Sequence, residues 1–171
     1  MPPTLGDEVV ESLKLVSVEK TRLGLVKMVS VNSILHAAEF LDDPSSIKPS
    51  EKSNPFHERI ARIMDGEEKI SVPVYLRPSG TEFQYLVWNA LMEIPMGTTI
   101  SYQDLAFNLG APRSARAVGA AIGKNKIALL IPCHRVVRAD GGTGGFRWGM
   151  DRKEALLKWE RRRLGSAPGL I

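Results

Sequence analysis

The chain contains one cysteine, Cys133, and the stretch "IPCHRVV" from Ile131 to Val137 places His134 and Arg135 directly after it. A thiol with an imidazole in reach can act as a nucleophile, because the thiolate is the reacting form and the imidazole takes its proton. A single cysteine makes neither an internal disulfide nor a thiolate cage for zinc, so Cys133 serves packing or chemistry. Packing as a small buried hydrophobe is the commoner fate of a lone cysteine. Adjacent side chains of an extended segment point to opposite sides, so His134 would reach the thiol through a bridging water. A third group sits in "DRKEALLKWERRRL". Glu160 follows Leu157 by three positions and precedes Leu164 by four, on the stripe of Leu156, Leu157 and Leu164. It is either a rim carboxylate or an inward partner that fixes the charge and tautomer of a histidine.

Two common cysteine chemistries do not fit. A cysteine phosphatase needs an arginine six positions after its nucleophile, where this chain has Ala139. A papain-like protease carries its cysteine on a helix near the start of the chain, with a distant histidine. Transfer of an alkyl group to the thiolate remains, beside a non-enzymatic binding module and a structural domain with a buried thiol.

These residues need elements to hold them. "KIALLI" reads as a buried strand that ends at Pro132 and delivers Cys133 to its carboxyl edge. Asp151 and Glu154 have capping-box spacing at the start of the helix that carries Glu160. "PRSARAVGAAIG" predicts a helix from Pro112, with Ala115, Val118 and Ile122 inside. Arg113 and Arg116 fall on an outer face otherwise built from Ala117, Gly119 and Ala120. Just before it, Ser101 and Asp104 cap a short helix with Leu105 and Leu109 inside, closed by Gly110, so the pair forms a helix-turn-helix pattern. A slim, small-residue helix packs tightly against a neighbour or, with its arginines, approaches DNA, even in the minor groove of roughly 6 Å width. Upstream, Ser79 or Thr81 caps a core helix bearing Phe83, Leu86, Val87, Ala90 and Leu91, with Trp88 as packing.

The first part of the chain carries less chemistry. "LKLVSVEKTRLGLVKMVSV" reads as two strands around Gly24, and the apolar stretch Ile34 to Leu41 as a short helix. The polar, proline-rich segment 42–55 reads as a loop. Asn54 and Pro55 begin a helix with Phe56, Ile60, Ile63 and Met64 on one face, stopped at Asp65 and Gly66, and "ISVPVYLRP" reads as an extended connector. A domain boundary falls near Pro78, giving 1–78 as a supporting lobe and 79–171 as the functional one. Charge divides at the same point: 10 Lys plus Arg against 12 Asp plus Glu up to Pro78, and 13 against 7 beyond it. The basic second half suits contact with a polyanion. No run approaches the roughly 18 apolar residues of a membrane span, and Met1 to Asp7 lacks the features of a secretory signal, so an intracellular location is expected, cytoplasmic in a prokaryote and nuclear in a eukaryote.

At these residues the chain resembles the O6-alkylguanine-DNA alkyltransferases. The matching pieces are "GTEFQYLVWNALMEIPMGTTISYQDLA", "RAVGAAIGKN", "IPCHRVVRADGGTGGFRWG" and "RKEALLKWE", in the family's order and spacing. The resemblance covers about Val72 to Glu160 and is strongest to the alkyltransferase half of bacterial Ada proteins. It implies an α/β (α+β) fold, with a small sheet-containing amino-terminal lobe and a helical, DNA-binding carboxy-terminal lobe. It also implies a monomer that needs no cofactor or metal, flips O6-methylguanine out of duplex DNA, with O4-methylthymine a lesser substrate, and moves the alkyl group irreversibly to Cys133. His134 would be the base acting through water and Glu160 its orienting group. Tyr102 would aid base rotation and protonate guanine N3, Arg116 would fill the gap in the stack, and Asn125 would tie the recognition helix to the active-site strand. The carbonyls of Cys133 and Val136 would accept from the base, and Phe146, Arg147 and Trp148 would close over it, the glycines of "GGTGG" letting that loop approach. Lys126, where the family usually has proline, and Phe146, commonly tyrosine, are departures that remove no chemical group.

Overall fold

The computed structural model describes residues 13–43, 45, 54–68 and 74–165. Most of the expected loop at 42–55, the start of the expected connector at 70–78 and the first residues of the chain lie outside that set.

Three antiparallel strands open the fold: β1 (Lys14–Thr21), β2 (Gly24–Val31) and β3 (Ile34–Leu41), in the order β1-β2-β3. The first hairpin turns at Gly24 as its sequence predicts. The segment Ile34–Leu41, expected as a helix, is a strand. A two-residue turn at Asn32 and Ser33, both with positive φ (50° and 61°), folds it back onto β2. Such turns match the twist of paired strands, and Leu35, Ala37, Ala38 and Phe40 then bury while Ile34, His36 and Glu39 lie nearer the surface. Eight residues are too few for propensity to outweigh that pairing.

Helix α1 (Pro55–Met64) starts where Asn54 accepts the Phe56 N–H and ends at Asp65 and Gly66, laying Ile60, Ile63 and Met64 against the sheet. Helix α2 (Glu82–Met92) is capped by Thr81, with Gln84 returning the bond to complete a capping box. Its buried face is Val87, Trp88 and Leu91; Phe83 and Leu86, expected inside, are exposed. Then come β4 (Ile100–Ser101), α3 (Tyr102–Asn108) and α4 (Ala115–Gly123), the last two forming the expected helix-turn-helix. Helix α4 begins three residues after Pro112, so Arg113 stands in the preceding turn rather than on the helix.

The expected strand "KIALLI" is not one. Only Ile127 makes a ladder contact, a parallel bridge to Ala38 in β3, after which the chain turns through Leu129, whose φ is 64°. Cys133 therefore sits on a 3₁₀ turn (Cys133–Arg135), followed by β5 (Val136–Val137), which pairs in parallel with β4. Helix α5 (Met150–Gly165) closes the chain. Asp151 lies inside its first turn rather than capping it, and Leu164 is exposed rather than buried.

One hydrophobic cluster joins both parts of the chain: Met28, Leu35 and Phe40 of the sheet pack in the same core as Trp88, Val118 and Ile131. Backbone bonds reinforce it, from Ala38 N–H to Lys126 O and from Ala128 N–H to Ala38 O, both 2.8 Å. Arg152 of α5 adds a clamp, bonding Asp42 at 2.9 Å and lying over the Phe40 ring.

Candidate active site

The 3₁₀ turn is held from below by an amide. Asn125, 1% exposed at the end of α4, accepts from the Ile127 N–H through Oδ1 (2.9 Å), and its Nδ2 contacts the carbonyls of Ile127 and Ile131 (both 3.1 Å) and the Cys133 Sγ (3.3 Å). An aspartate would leave the two carbonyls without their donor. The helix that carries Arg116 is thus coupled through one side chain to the sulfur.

His134 and Glu160 meet as the inward reading of Glu160 expects. Both are fully buried, with His134 Nε2 2.8 Å from Glu160 Oε1. The other ring nitrogen, Nδ1, is buried and makes no hydrogen bond to a protein group among the described residues. Glu160 is saturated: Arg135 donates through Nε (3.0 and 3.1 Å) and Nη2 (2.7 Å), and the Gly97 N–H donates to Oε2 (2.9 Å). Burial works to raise the Glu160 carboxyl, but the bonds from His134 and Arg135 outweigh it and hold it at about 2. Burial also lowers the basicity of His134, against the pull of Glu160. The imidazole is therefore neutral at neutral pH and free to accept a proton. Arg135 is essential to this arrangement, although its position in "CHRVV" reads only as scaffold. Its guanidinium shares the carboxylate and also donates to the Ile94 carbonyl.

Sequence reasoning misses a second residue. Lys153 of α5 is fully buried, and its ammonium donates to the carbonyls of Val136 (2.6 Å), Thr143 and Gly145 (3.3 Å). Its place three residues before Leu156, on the same helical face, was the available signal. Burial pulls its pKa down to about 8, and a negative charge on Cys133 works against the fall. Burial pushes the Cys133 thiol up to about 11, and the Asn125 N–H and the Lys153 charge work the other way. At rest the sulfur is a protonated thiol whose anion, once formed, meets a donor and a cation.

Above the sulfur lies a cavity of about 310 Å³, walled by Tyr102, Gly119, Ile122, Cys133, Phe146 and Arg147, with Gly123 and Gly145 at its edges. Volumes of this size hold a small planar ring system. Tyr102, the first residue of α3, is brought there by the β4–β5 pairing, and burial raises its phenol pKa. Gly144 sits against that ring with φ of 67°; a Cβ there would lie 2.9 Å from it. Any side chain at 144 would lift the loop off Tyr102. Val136 and Trp148 do not line the cavity. Val136 is fully buried, its carbonyl already receiving Lys153, and that of Cys133 receives the Val136 N–H, so each has one lone pair left for a ligand. Trp148 packs edge-on against Phe40 and Phe146, supporting the wall from behind. The Arg147 side chain bonds Glu39 at 3.1 Å, fixing the loop to β3. On α4, Arg116, Ala117 and Ala120 are exposed, Gly119 faces Tyr102, and Arg113 is exposed just before the helix.

A helix-turn-helix stands beside a buried thiol, an imidazole and a carboxylate, and the comparisons assign that arrangement to a family. Residues 82–162 match the model for the DNA-binding domain of 6-O-methylguanine DNA methyltransferase. The methylated-DNA–protein-cysteine methyltransferase of Kluyveromyces lactis is 39% identical over 94% of this chain and 79% of its own length. The regulatory protein Ada of Salmonella typhimurium is 49% identical over 61% of this chain, which spans only 29% of that longer protein. Mycobacterium tuberculosis OGT in complex with DNA superimposes with a TM-score of 0.76 at 35% identity, covering 86% of this chain and 93% of that one. The chain belongs to the methylated-DNA–protein-cysteine methyltransferase family.

Proposed function

We propose that this protein repairs O6-alkylguanine in duplex DNA directly, moving the alkyl group to Cys133 once per molecule. The observation that carries this reading is the thiol at the base of a ring-sized cavity, opening beside α4 and backed by the His134–Glu160 pair. With Arg116 entering the stack, a flipped guanine fits between Tyr102 and Phe146. The spare nitrogen of His134 takes the thiol proton through water. The sulfur attacks the alkyl carbon, a C–S bond forms, the C–O6 bond breaks, and its electron pair passes into the guanine ring. Tyr102 protonates N3 as the base leaves and recovers a proton from the imidazolium through solvent. Lys153 and Asn125 stabilise the sulfur anion on the way.

The protein acts as a monomer inside the cell, with residues 1–78 supporting the lobe from 79 onward. O4-methylthymine would be a lesser substrate. Among the described residues no helix is long and apolar enough to cross a membrane. Incubation with duplex DNA bearing O6-methylguanine should add the mass of one methyl group to the intact protein, and Cys133→Ala should abolish that addition. DNA binding without a mass change would leave a non-enzymatic module instead.

A further inference from the structure

A cleft of about 1260 Å³ runs beside the thiol cavity, lined among others by Tyr102, Arg116, Arg138, Asp140, Thr143 and Met150. Arg116 and Arg138 both line it, and a smaller, more enclosed pocket joins the same two arginines past Gln103 and Ala139. Arg138 begins a tight turn closed by its own N–H to Gly142 O (2.8 Å) and by Gly141 N–H to its carbonyl (3.1 Å). Asp140 organises that turn, with Oδ1 accepting from the Gly142 N–H (2.9 Å) and Oδ2 lying 2.9 Å from Arg138 Nη2. Both side chains are exposed, and Asp140 is the one acid on either pocket wall.

We infer that Arg138 is a DNA phosphate contact in the cleft it shares with Arg116, and that Asp140 occupies its guanidinium until a phosphodiester replaces the carboxylate. This rests on the DNA-binding reading above. A guanidinium accepts carboxylate and phosphate with the same paired geometry, so one ligand exchanges for the other without moving the backbone turn. An exposed pair of this kind contributes little to folding, which leaves it free to switch partner. The carboxylate competes with phosphate for the guanidinium and must give it up before the strand is held. It therefore weakens binding to undamaged DNA and favours release from it, which suits a protein that must inspect many intact sites for each lesion.

The test uses full-length protein and an unmodified duplex, with affinity measured by fluorescence anisotropy across a salt series. Arg138→Gln should weaken binding roughly three- to tenfold and reduce the slope of log affinity against log salt by about 1. Arg22→Gln removes the same charge from the amino-terminal lobe, where Arg22 pairs with Glu67, and should leave the slope unchanged. Asp140→Asn should tighten binding several-fold, and that gain should vanish in the Arg138→Gln background. An Arg138→Gln slope equal to that of the Arg22→Gln control overturns the inference, as does a gain from Asp140→Asn that survives without Arg138. If the unaltered protein shows no salt-dependent binding, the DNA-binding reading itself fails; an Arg138→Gln protein that behaves like the control removes only the role given to Arg138 and Asp140.

Discussion

Two histidines in this molecule are completely buried, and they do different work. His57 of α1 stands in the amino-terminal lobe between two serines, its Nδ1 2.8 Å from Ser17 Oγ and its Nε2 2.8 Å from Ser30 Oγ. His134 stands beside the thiol with one nitrogen on a carboxylate and the other unbonded by the protein. Both are kept neutral by burial. A ring with both nitrogens occupied by hydroxyls pins a helix to a sheet; a ring with one nitrogen fixed and one spare is poised to move a proton. Burial and basicity alone do not separate structure from chemistry. The disposition of the second nitrogen does.

The sharpest way to break the contrast is exchange of function. His134→Ala should slow methyl transfer about 10²- to 10⁴-fold, the usual range for a lost general base, while His57→Ala should leave the rate per folded molecule unaltered. Single-turnover transfer assays read both, and equal losses would erase the distinction. Lys153→Met comes next. It leaves the carbonyls of Val136, Thr143 and Gly145 without their donor, and should cost about 2–4 kcal/mol in urea unfolding as well as slowing transfer. His57→Ala should cost about 3 kcal/mol through lost packing and two stranded hydroxyls.

Acid separates the two lobes further. His57 has its basicity lowered from 6.5 to about 4 by burial, so on acidification the unfolded chain takes up this proton first. Stability therefore falls as pH drops from about 6.5 to 4, by up to about 3 kcal/mol from this residue. Glu160 behaves as a carboxylate held below its ordinary 4.5. Its contribution is intact above that value and is lost as pH falls toward 2. Urea midpoints between pH 7 and 4.5 should drop for the wild type and less for His57→Ala. The smallest effect belongs to Ser17→Ala, about 1 kcal/mol with no change in transfer rate, because it frees one bond of the structural histidine.

Much of the site could be read from spacing. Cys133 next to His134, and Glu160 between Leu157 and Leu164, mark local positions that the fold does bring together. The capped helices α1, α2 and α3 were equally legible, since Asn54, Thr81 and Ser101 state their caps in the sequence. What escaped depends on contacts distant in the chain. The segment Ile34–Leu41 is a strand because of a turn at Asn32 and the partner β2, and "KIALLI" is broken because Asn125 collects its carbonyls. Arg135 reads as scaffold, and Lys153 shows only its helical face, until α5 is docked. Their partners are backbone carbonyls and a buried carboxylate, which no periodicity reveals.

The depth of Cys133 has a consequence for the protein between lesions. On the proposed function the thiol is used once and must stay unspent until it is needed, and peroxides and small electrophiles consume thiolates that are exposed and acidic. This sulfur is 3% exposed and protonated at rest, so small oxidants meet a thiol rather than the reactive anion. The burial that makes the thiol sluggish in isolation also sets its shelf life, reserving its single reaction for a substrate that fills the cavity above it.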